Sequence, residues 1–293
     1  MAKSDPVGVL SALLGPALWG LMPLFYISLA EFSAFDVVVQ RTLWSAILLG
    51  GFLAMRGRLA LLKGYFRPGR QMALILAGSV LIAINWFVFI YAVHSGQVVE
   101  ASFGYFIYPL LAVGFGVVLL SEKLDRRAQI ALGLSAVGAV MKGISVGAIP
   151  DISLILAGSF AAYAVIRKQL AIDALDGLLC EVIWLLPIVF AALIWQILQG
   201  EPLFLGGGAI GVLLSISCGL ATFIPLAFFL RGNKTLPLSL TGFLFYINPS
   251  LQLLVGVMLL SEPFQIIDGL AFGLIWLGLI IQFARGHKPV SPR

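Results

Sequence analysis

Two stretches of this 293-residue chain carry nearly the same residues 140 positions apart. Phe103, Ile107, Pro109, Leu111, Gly116, Val117, Leu119, Leu120, Ser121 and Glu122 recur as Phe243, Ile247, Pro249, Leu251, Gly256, Val257, Leu259, Leu260, Ser261 and Glu262. The same register pairs Asp36 with Asp176, Trp44 with Trp184, Gly133 with Gly273 and Gly138 with Gly278. The repeat therefore runs from near the start of each half to its last apolar stretch. Duplication restricts the fold sharply, because both halves must form the same elements and pack against each other. In strongly apolar chains it marks many secondary transporters, whose substrate site lies between the copies.

Hydrophobic residues make up 61% of the chain and charged residues 11%, with a mean hydropathy of +1.07. A soluble domain carries roughly a quarter charged residues, so this composition reads as an all-α polytopic membrane protein. A spanning helix takes about 20 mostly apolar residues. The charge-poor stretches predict ten transmembrane helices: 8–29, 36–55, 72–93, 98–120, 127–146, 150–168, 178–198, 208–230, 237–260 and 266–284. Five spans per copy is an odd number, so the second copy must enter the membrane from the opposite side. The two five-helix repeats, 1–147 and 148–293, are thus expected to be inverted.

Loop charge gives an independent reading, since Lys and Arg accumulate on the cytoplasmic side. With both termini cytoplasmic, 16 of the 18 basic residues fall on that side, and Arg41 and Lys142 are left over. The matched loops differ as inversion requires: Ser121 to Arg127 is basic, whereas Ser261 to Gln265 has no base. The net charge of +5 therefore reports orientation and not nucleic-acid binding. No soluble domain is expected, because the longest connections are about a dozen residues. The N-terminal apolar run continues to Leu29 and is interrupted by Gly15, Pro16, Gly20 and Pro23, so it reads as a first span and not a secretory signal. Cys180 and Cys218 lie in or beside spans and are expected to be free thiols, with no metal or disulfide framework.

Candidate functional residues follow from polar and aromatic groups inside spans. Thr241, Phe245, Asn248 and Gln252 fall on one face of the ninth span, and the repeat carries that face onto Ala101, Tyr105, Tyr108 and Ala112 of the fourth. Both stripes pass a mid-helix proline, Pro109 or Pro249, which breaks the helix ladder and frees a carbonyl. These two helices are expected to wall a central cavity. The alternative use of such residues is to glue helices together.

Arg41 and Glu181 occupy equivalent positions, three residues before Trp44 and Trp184. Inversion places them on opposite sides of the midplane, so each needs another partner: an unpaired charge in hydrocarbon costs at least roughly 2.5 kcal/mol. Glu100 is the expected partner of Arg41, and Arg167, Lys168, Arg231 and Lys234 are candidates for Glu181. As functional groups, Arg41, Glu100 and Glu181 would gate the path or meet substrate charge, with Glu100 or Glu181 carrying a coupling proton. As structural groups they would fix helix register.

Trp19, Tyr26, Trp86, Tyr91 and Tyr163 are candidates for cavity lining or for packing and interfacial anchoring. Asn85, in the middle of the third span, needs partners that a cavity would supply. His94, at a membrane edge, is expected to be solvated, and Lys142 to snorkel outward. Gly143 with Gly147, and Gly269 with Gly273, are expected to let helices pack closely.

These residues resemble a known family. The run Asn85-Trp86-Phe87, then Glu100-Ala101-Ser102-Phe103-Gly104-Tyr105-Phe106-Ile107 with Pro109, looks like the signature of the RarD-type permeases, in the EamA branch of the drug/metabolite transporter superfamily. Arg41 with Trp44-Ser45 agrees, as do Ser159-Phe160 with Tyr163 and Arg167-Lys168. So do Gly177, Glu181 and Trp184-Leu185-Leu186-Pro187, and Gly242-Phe243 with Tyr246-Ile247 and Pro249. The resemblance covers nearly the whole chain. It departs at Tyr108, where such sequences usually carry Asn before the proline; here the Asn stands in the other copy, as Asn248, so which copy offers the amide to substrate stays open. The resemblance implies the drug/metabolite transporter fold in a bacterial inner membrane, working through a central cavity by alternating access. Members are known as chloramphenicol-sensitivity proteins, while the wider superfamily exports amino acids, nucleosides and assorted metabolites, so the cargo is not implied.

The expected function is a secondary-active permease exporting a small amphipathic metabolite or drug-like compound. No G-x-x-x-x-G-K-[ST] loop occurs, which leaves proton or substrate gradients as the energy source. No cofactor or metal is expected, and the partners are a small-molecule substrate and the lipid bilayer. Two rivals are a non-transporting membrane assembly subunit and a membrane-embedded enzyme. The chain has no H-E-x-x-H, no G-x-S-x-G and no paired intramembrane aspartates, which argues against the enzyme.

Overall fold

The computed structural model describes residues 6–120, 126–146, 149–199, 208–235 and 244–283, which form helices joined by short connections, with no strand among the described residues. The long helices are α1 (Pro6–Ile27), α2 (Ala34–Met55), α3 (Arg70–His94), α4 (Val98–Leu120) and α5 (Arg126–Val146), then α6 (Asp151–Gln169), α7 (Ala174–Gln199), α8 (Gly208–Thr235), α9 (Ile247–Leu254) and α10 (Ile266–Phe283). One helical turn at Leu59–Leu62 and a 3₁₀ turn at Lys63–Phe66 fill the loop after α2. Five of these helices are long and apolar enough to cross a membrane: α1, α2, α3, α7 and α8. The chain is thus an all-helical, multi-pass membrane protein, the arrangement that keeps backbone N–H and C=O groups paired in hydrocarbon. Thr241, Phe243, Ser121, Glu122, Gly147, Lys3, Lys123, Arg285, Lys288 and Arg293 lie outside the described residues, as do the side chains of Ala112 and Lys234.

Local chemistry sets the helix ends. Ser33 caps α2 by accepting from the Asp36 N–H at 3.1 Å. Asp173 accepts from the Leu175 N–H at 3.1 Å, so α7 begins at Ala174, earlier than the apolar run alone predicts. The ninth predicted span departs most. Phe245 and Tyr246 form a turn, α9 starts at Ile247, and Val255–Leu259 widens into a π turn, so Phe245 and Gln252 do not share one continuous helix. Pro249 permits the break, since it has no N–H to give the Phe245 carbonyl. That carbonyl accepts instead from the Asn248 N–H at 3.0 Å.

The most extensive helix contacts run between the two halves: α4 on α6, α1 on α8, α5 on α10, α2 on α8 and α3 on α6. These pairings come in couples exchanged by the 140-residue register. Thus α4 on α6 has its counterpart in α9 on α1, and α1 on α8 in α6 on α3. Two of the matched pairs, α2 with α7 and α5 with α10, run antiparallel. Asp36, at the start of α2, accepts from Gln196 near the end of α7. Asp176, at the start of α7, accepts from Arg58 just beyond α2 at 2.5 Å, which raises the Arg58 pKa. In α5 and α10, a Cβ on Gly138 would come within 2.9 Å of the Ala271 carbonyl, and one on Gly278 within 3.2 Å of Ala131. These two contacts are copies of each other: Gly138 leaves no room for a side chain, and Gly278 packs more tightly than a Cβ usually does.

Lys142 does not snorkel: it is buried and ion-paired with Asp268 at 2.6 Å, because α10 brings a carboxylate within reach of its stem. Gly269 and Gly273 do not bring helices together; nothing lies within 4 Å of a Cβ on Gly273, and for Gly269 only Phe264 of the adjoining turn does. The close approaches are made one turn or more away, at Gly138 and Gly278. His94 is half-buried and its Nε2 lies 3.0 Å from the Tyr26 carbonyl, so it ties α3 to the end of α1 and is not a free loop side chain.

Candidate functional site

A cavity of about 530 Å³ opens between the two halves. Its walls come from α1, α2, α3 and α4 on one side and α6, α7, α8 and α9 on the other. Trp19, Asn85, Trp86, Tyr105 and Tyr108 line it from the first half, and Tyr163, Phe245, Asn248 and Gln252 from the second. Arg41 and Pro109 also face it, whereas Glu100, Glu181 and Pro249 do not. The turn before α9 has a direct consequence: it swings the Phe245 ring across to Trp19 (centroids 6.2 Å apart), Phe229 (5.8 Å) and Tyr108 (5.8 Å). Tyr108 continues to Phe160 at 4.7 Å, which stacks with Tyr163 at 6.0 Å. A near-continuous aromatic lining results. Such a surface favours flat apolar matter through area burial and ring geometry.

Polar groups punctuate the lining. Asn85 is buried and well satisfied: Nδ2 donates to the Leu156 carbonyl and to Ser159 Oγ, both at 3.1 Å, and Oδ1 accepts from Tyr105 OH at 2.9 Å. Its partners are therefore α6 and Tyr105, and it fixes the Tyr105 ring in the wall. Gln252 Nε2 donates to Asn248 Oδ1 at 2.8 Å, leaving Gln252 Oε1 buried without a partner. Ser102 Oγ donates to the Pro249 carbonyl at 2.8 Å and stitches α4 to α9.

Arg41 and Glu181 are held by different partners. Arg41 is 7% exposed. Its Nε donates to Thr222 Oγ1 at 2.8 Å, its Nη1 to Tyr26 OH at 2.9 Å, and its guanidinium carbon lies 4.1 Å from the Trp86 ring centroid. The expected pairing with Glu100 is not made. Glu100 starts α4, where its side chain accepts from the Ser153 N–H of α6 at 3.4 Å and its carbonyl accepts from Ser153 Oγ at 2.7 Å. Glu181 is fully buried. It accepts from Tyr163 OH at 2.9 Å and from Arg167 Nη1 at 3.3 Å, while Arg167 Nη2 donates to the Ala174 carbonyl at 3.0 Å. Gly177 leaves room for that guanidinium, which would occupy the place of any Cβ there. Arg167 itself faces the cavity.

Near Tyr26 and Glu100, contacts join the two halves. Glu262 accepts from the first N–H groups of α4, Val98 and Val99, each at 2.7 Å. A carboxylate at a helix N-terminus satisfies orphan donors and meets the positive end of the dipole. The Lys142–Asp268 pair and the Glu100–Ser153 contacts add to these.

Sequence reasoning did not single out Thr222, Phe160 or Phe229 as cavity residues. Thr222 carried a usable signal as a hydroxyl three residues before a mid-helix proline, Pro225. The two phenylalanines carried none beyond their apolar neighbours.

Residues 6–143 match the EamA-like transporter family. The chain is 34% identical over 278 residues to a Bacillus subtilis protein described as the uncharacterized transporter YojE, covering 94% of this chain and 92% of that one. It is 36% identical to Protein RarD of Streptomyces exfoliatus over 90% of this chain and 84% of that one. Against Protein RarD of Escherichia coli (strain K12) the identity is 32%, over 96% and 95%. A solved crystal structure shares the fold, with a TM-score of 0.60 at 18% identity over 94% of this chain and 97% of that chain.

Proposed function

The chain belongs to the EamA-like transporter family, among its RarD-type permeases, and is a membrane transporter and not an enzyme; from that premise we propose that it is a secondary-active exporter of a small amphipathic metabolite, working by alternating access. The observation that carries this reading is the aromatic cavity between the halves, bounded by helix pairs that the repeat exchanges. We assign ten spans in two inverted five-helix repeats, in the bacterial inner membrane with both termini cytoplasmic. The antiparallel course of α2 with α7 and of α5 with α10 supports the inversion, because matched helices would run parallel in repeats related by an axis along the membrane normal. The contacts of Glu262, Lys142 and Glu100 act as the gate on one side of the cavity.

Glu181 takes the coupling role. Its carboxylate holds Arg167, which faces the cavity, so a proton on Glu181 removes the charge that fixes Arg167 and frees the guanidinium to move. The test is the extracellular metabolite profile of cells overproducing the protein, compared with Glu181→Gln at matched abundance. One compound class accumulates outside only with the intact protein, and in vesicles the variant loses the dependence of transport on a pH gradient. Unchanged pH dependence removes Glu181 from coupling; identical profiles remove the constitutive exporter.

A further inference from the structure

Among the described residues Arg41 and Lys142 are buried and Arg167 is partly buried, and the three are not treated alike. Lys142 and Arg167 each have a carboxylate, Asp268 at 2.6 Å and Glu181 at 3.3 Å. Arg41 has none within 4.0 Å among the described residues. Its partners are the neutral hydroxyls of Thr222 and Tyr26 and the face of Trp86. A buried cation without a counter-charge is expensive to hold, and here it is held rigidly, by two hydroxyls and a stacked ring, at the wall of the cavity. An oriented guanidinium of this kind is a carboxylate receptor waiting for its anion.

A second observation points the same way. Among the described residues, Arg41 and Arg167 are the only charged groups facing the cavity, and no Asp or Glu lines it. Because Glu181 neutralises Arg167, the site carries one uncompensated positive charge. The complement of the site is therefore a ligand with a single negative charge and a flat apolar body for the aromatic wall. A dianion would bring one charge too many, and a cation would face Arg41 with no acid to receive it.

We propose that the cavity selects organic monocarboxylates with an aromatic or similarly flat body, and that Arg41 is the residue that receives the carboxylate. This rests on the reading of the cavity as the transport site, and it narrows "amphipathic metabolite" to an anionic class.

The test is direct binding to the purified full-length chain in lipid nanodiscs, by titration calorimetry, of three probes of one shape: 2-naphthoate, 2-naphthamide and 2-naphthylmethylammonium. Naphthoate is expected to bind at least roughly tenfold tighter than the amide, the worth of one charge-assisted hydrogen-bonded pair, and the ammonium weakest of all. In Arg41→Gln the preference for naphthoate over naphthamide collapses, and in Arg41→Lys, which keeps the charge and loses the fork, part of it returns. Equal affinity for naphthoate and naphthamide in the intact chain overturns the proposal, whatever the variants do, and so does an undiminished preference in a folded Arg41→Gln. Because this measures binding and the profile comparison measures export, the two readings fail separately: Arg41-dependent binding without export sinks only the exporter reading, and export without a carboxylate preference sinks only this one.

Discussion

The fourth and ninth helical segments share Ile, Pro, Leu, Gly and Val at matched positions, and they fold differently. Val98–Leu120 is α-helical throughout, with Pro109 in its twelfth position. Its partner turns at Phe245 and Tyr246, begins again at Ile247 and widens into a π turn at Val255–Leu259. Pro249 therefore falls in a first helical turn, where a missing N–H would have had no partner anyway. Pro109 falls in a helix interior, where it removes a ladder bond. The same proline is thus a helix start in one copy and a helix defect in the other. What differs is the surroundings: α4 is capped by Glu262 and anchored through Ser102 and Ser153, whereas the turn before α9 lets Phe245 reach the aromatic wall.

The largest effect is expected from removing the cap that holds α4 in place. Glu262→Ala deprives two main-chain N–H groups of a charged acceptor and should cost about 3 kcal/mol, each such bond being worth roughly 1.5 kcal/mol or more. Thermal unfolding of the purified protein reads it, and a loss below about 0.5 kcal/mol would mean that α4 owes its continuity to something else. Next come the prolines. Pro109→Ala restores part of the roughly 3 kcal/mol that an interior proline costs and should stabilise the protein by about 1–2 kcal/mol, while Pro249→Ala should be neutral. Equal shifts in melting temperature for the two variants would break the comparison. The smallest effect is that of making the copies alike at one ring: Tyr105→Phe reproduces Phe245, strands Asn85 Oδ1 and should cost about 1 kcal/mol, with an unchanged stability showing that Asn85 does not depend on Tyr105.

Much of the fold was legible because membranes impose local rules. Long apolar stretches must be helical, and the 140-residue register can be read without any structure. The polar stripe of the fourth span was legible too, since Tyr105 and Tyr108 stand three apart on one helix face. The matching stripe was misread as continuous helix, because a proline's position within a helix depends on where that helix starts, and no residue around Phe245 signals the turn. Charge partners were the least legible. Glu100 looked like the acid for Arg41 by depth alone, yet depth says nothing of direction around the helix axis, and Glu100 points to α6. Lys142 and Asp268 are 126 residues apart, and only the packing of α5 on α10 makes them a pair.

The sequence by itself determined that this chain is a helical membrane protein made of two related halves, and that its polar intramembrane residues cluster in a few spans. It could do so because hydropathy and periodicity are local properties, each decided by neighbours along the chain. Only the tertiary structure decided that Arg41 is held by Tyr26, Thr222 and Trp86 with no acid beside it among the described residues, while Glu181, its counterpart in the repeat, is bound to Arg167 and Tyr163. Which groups meet across helices depends on how far and at what angle the backbones approach, and that is settled by side-chain volume at the crossings, a glycine here and a ring there, distributed over the whole chain.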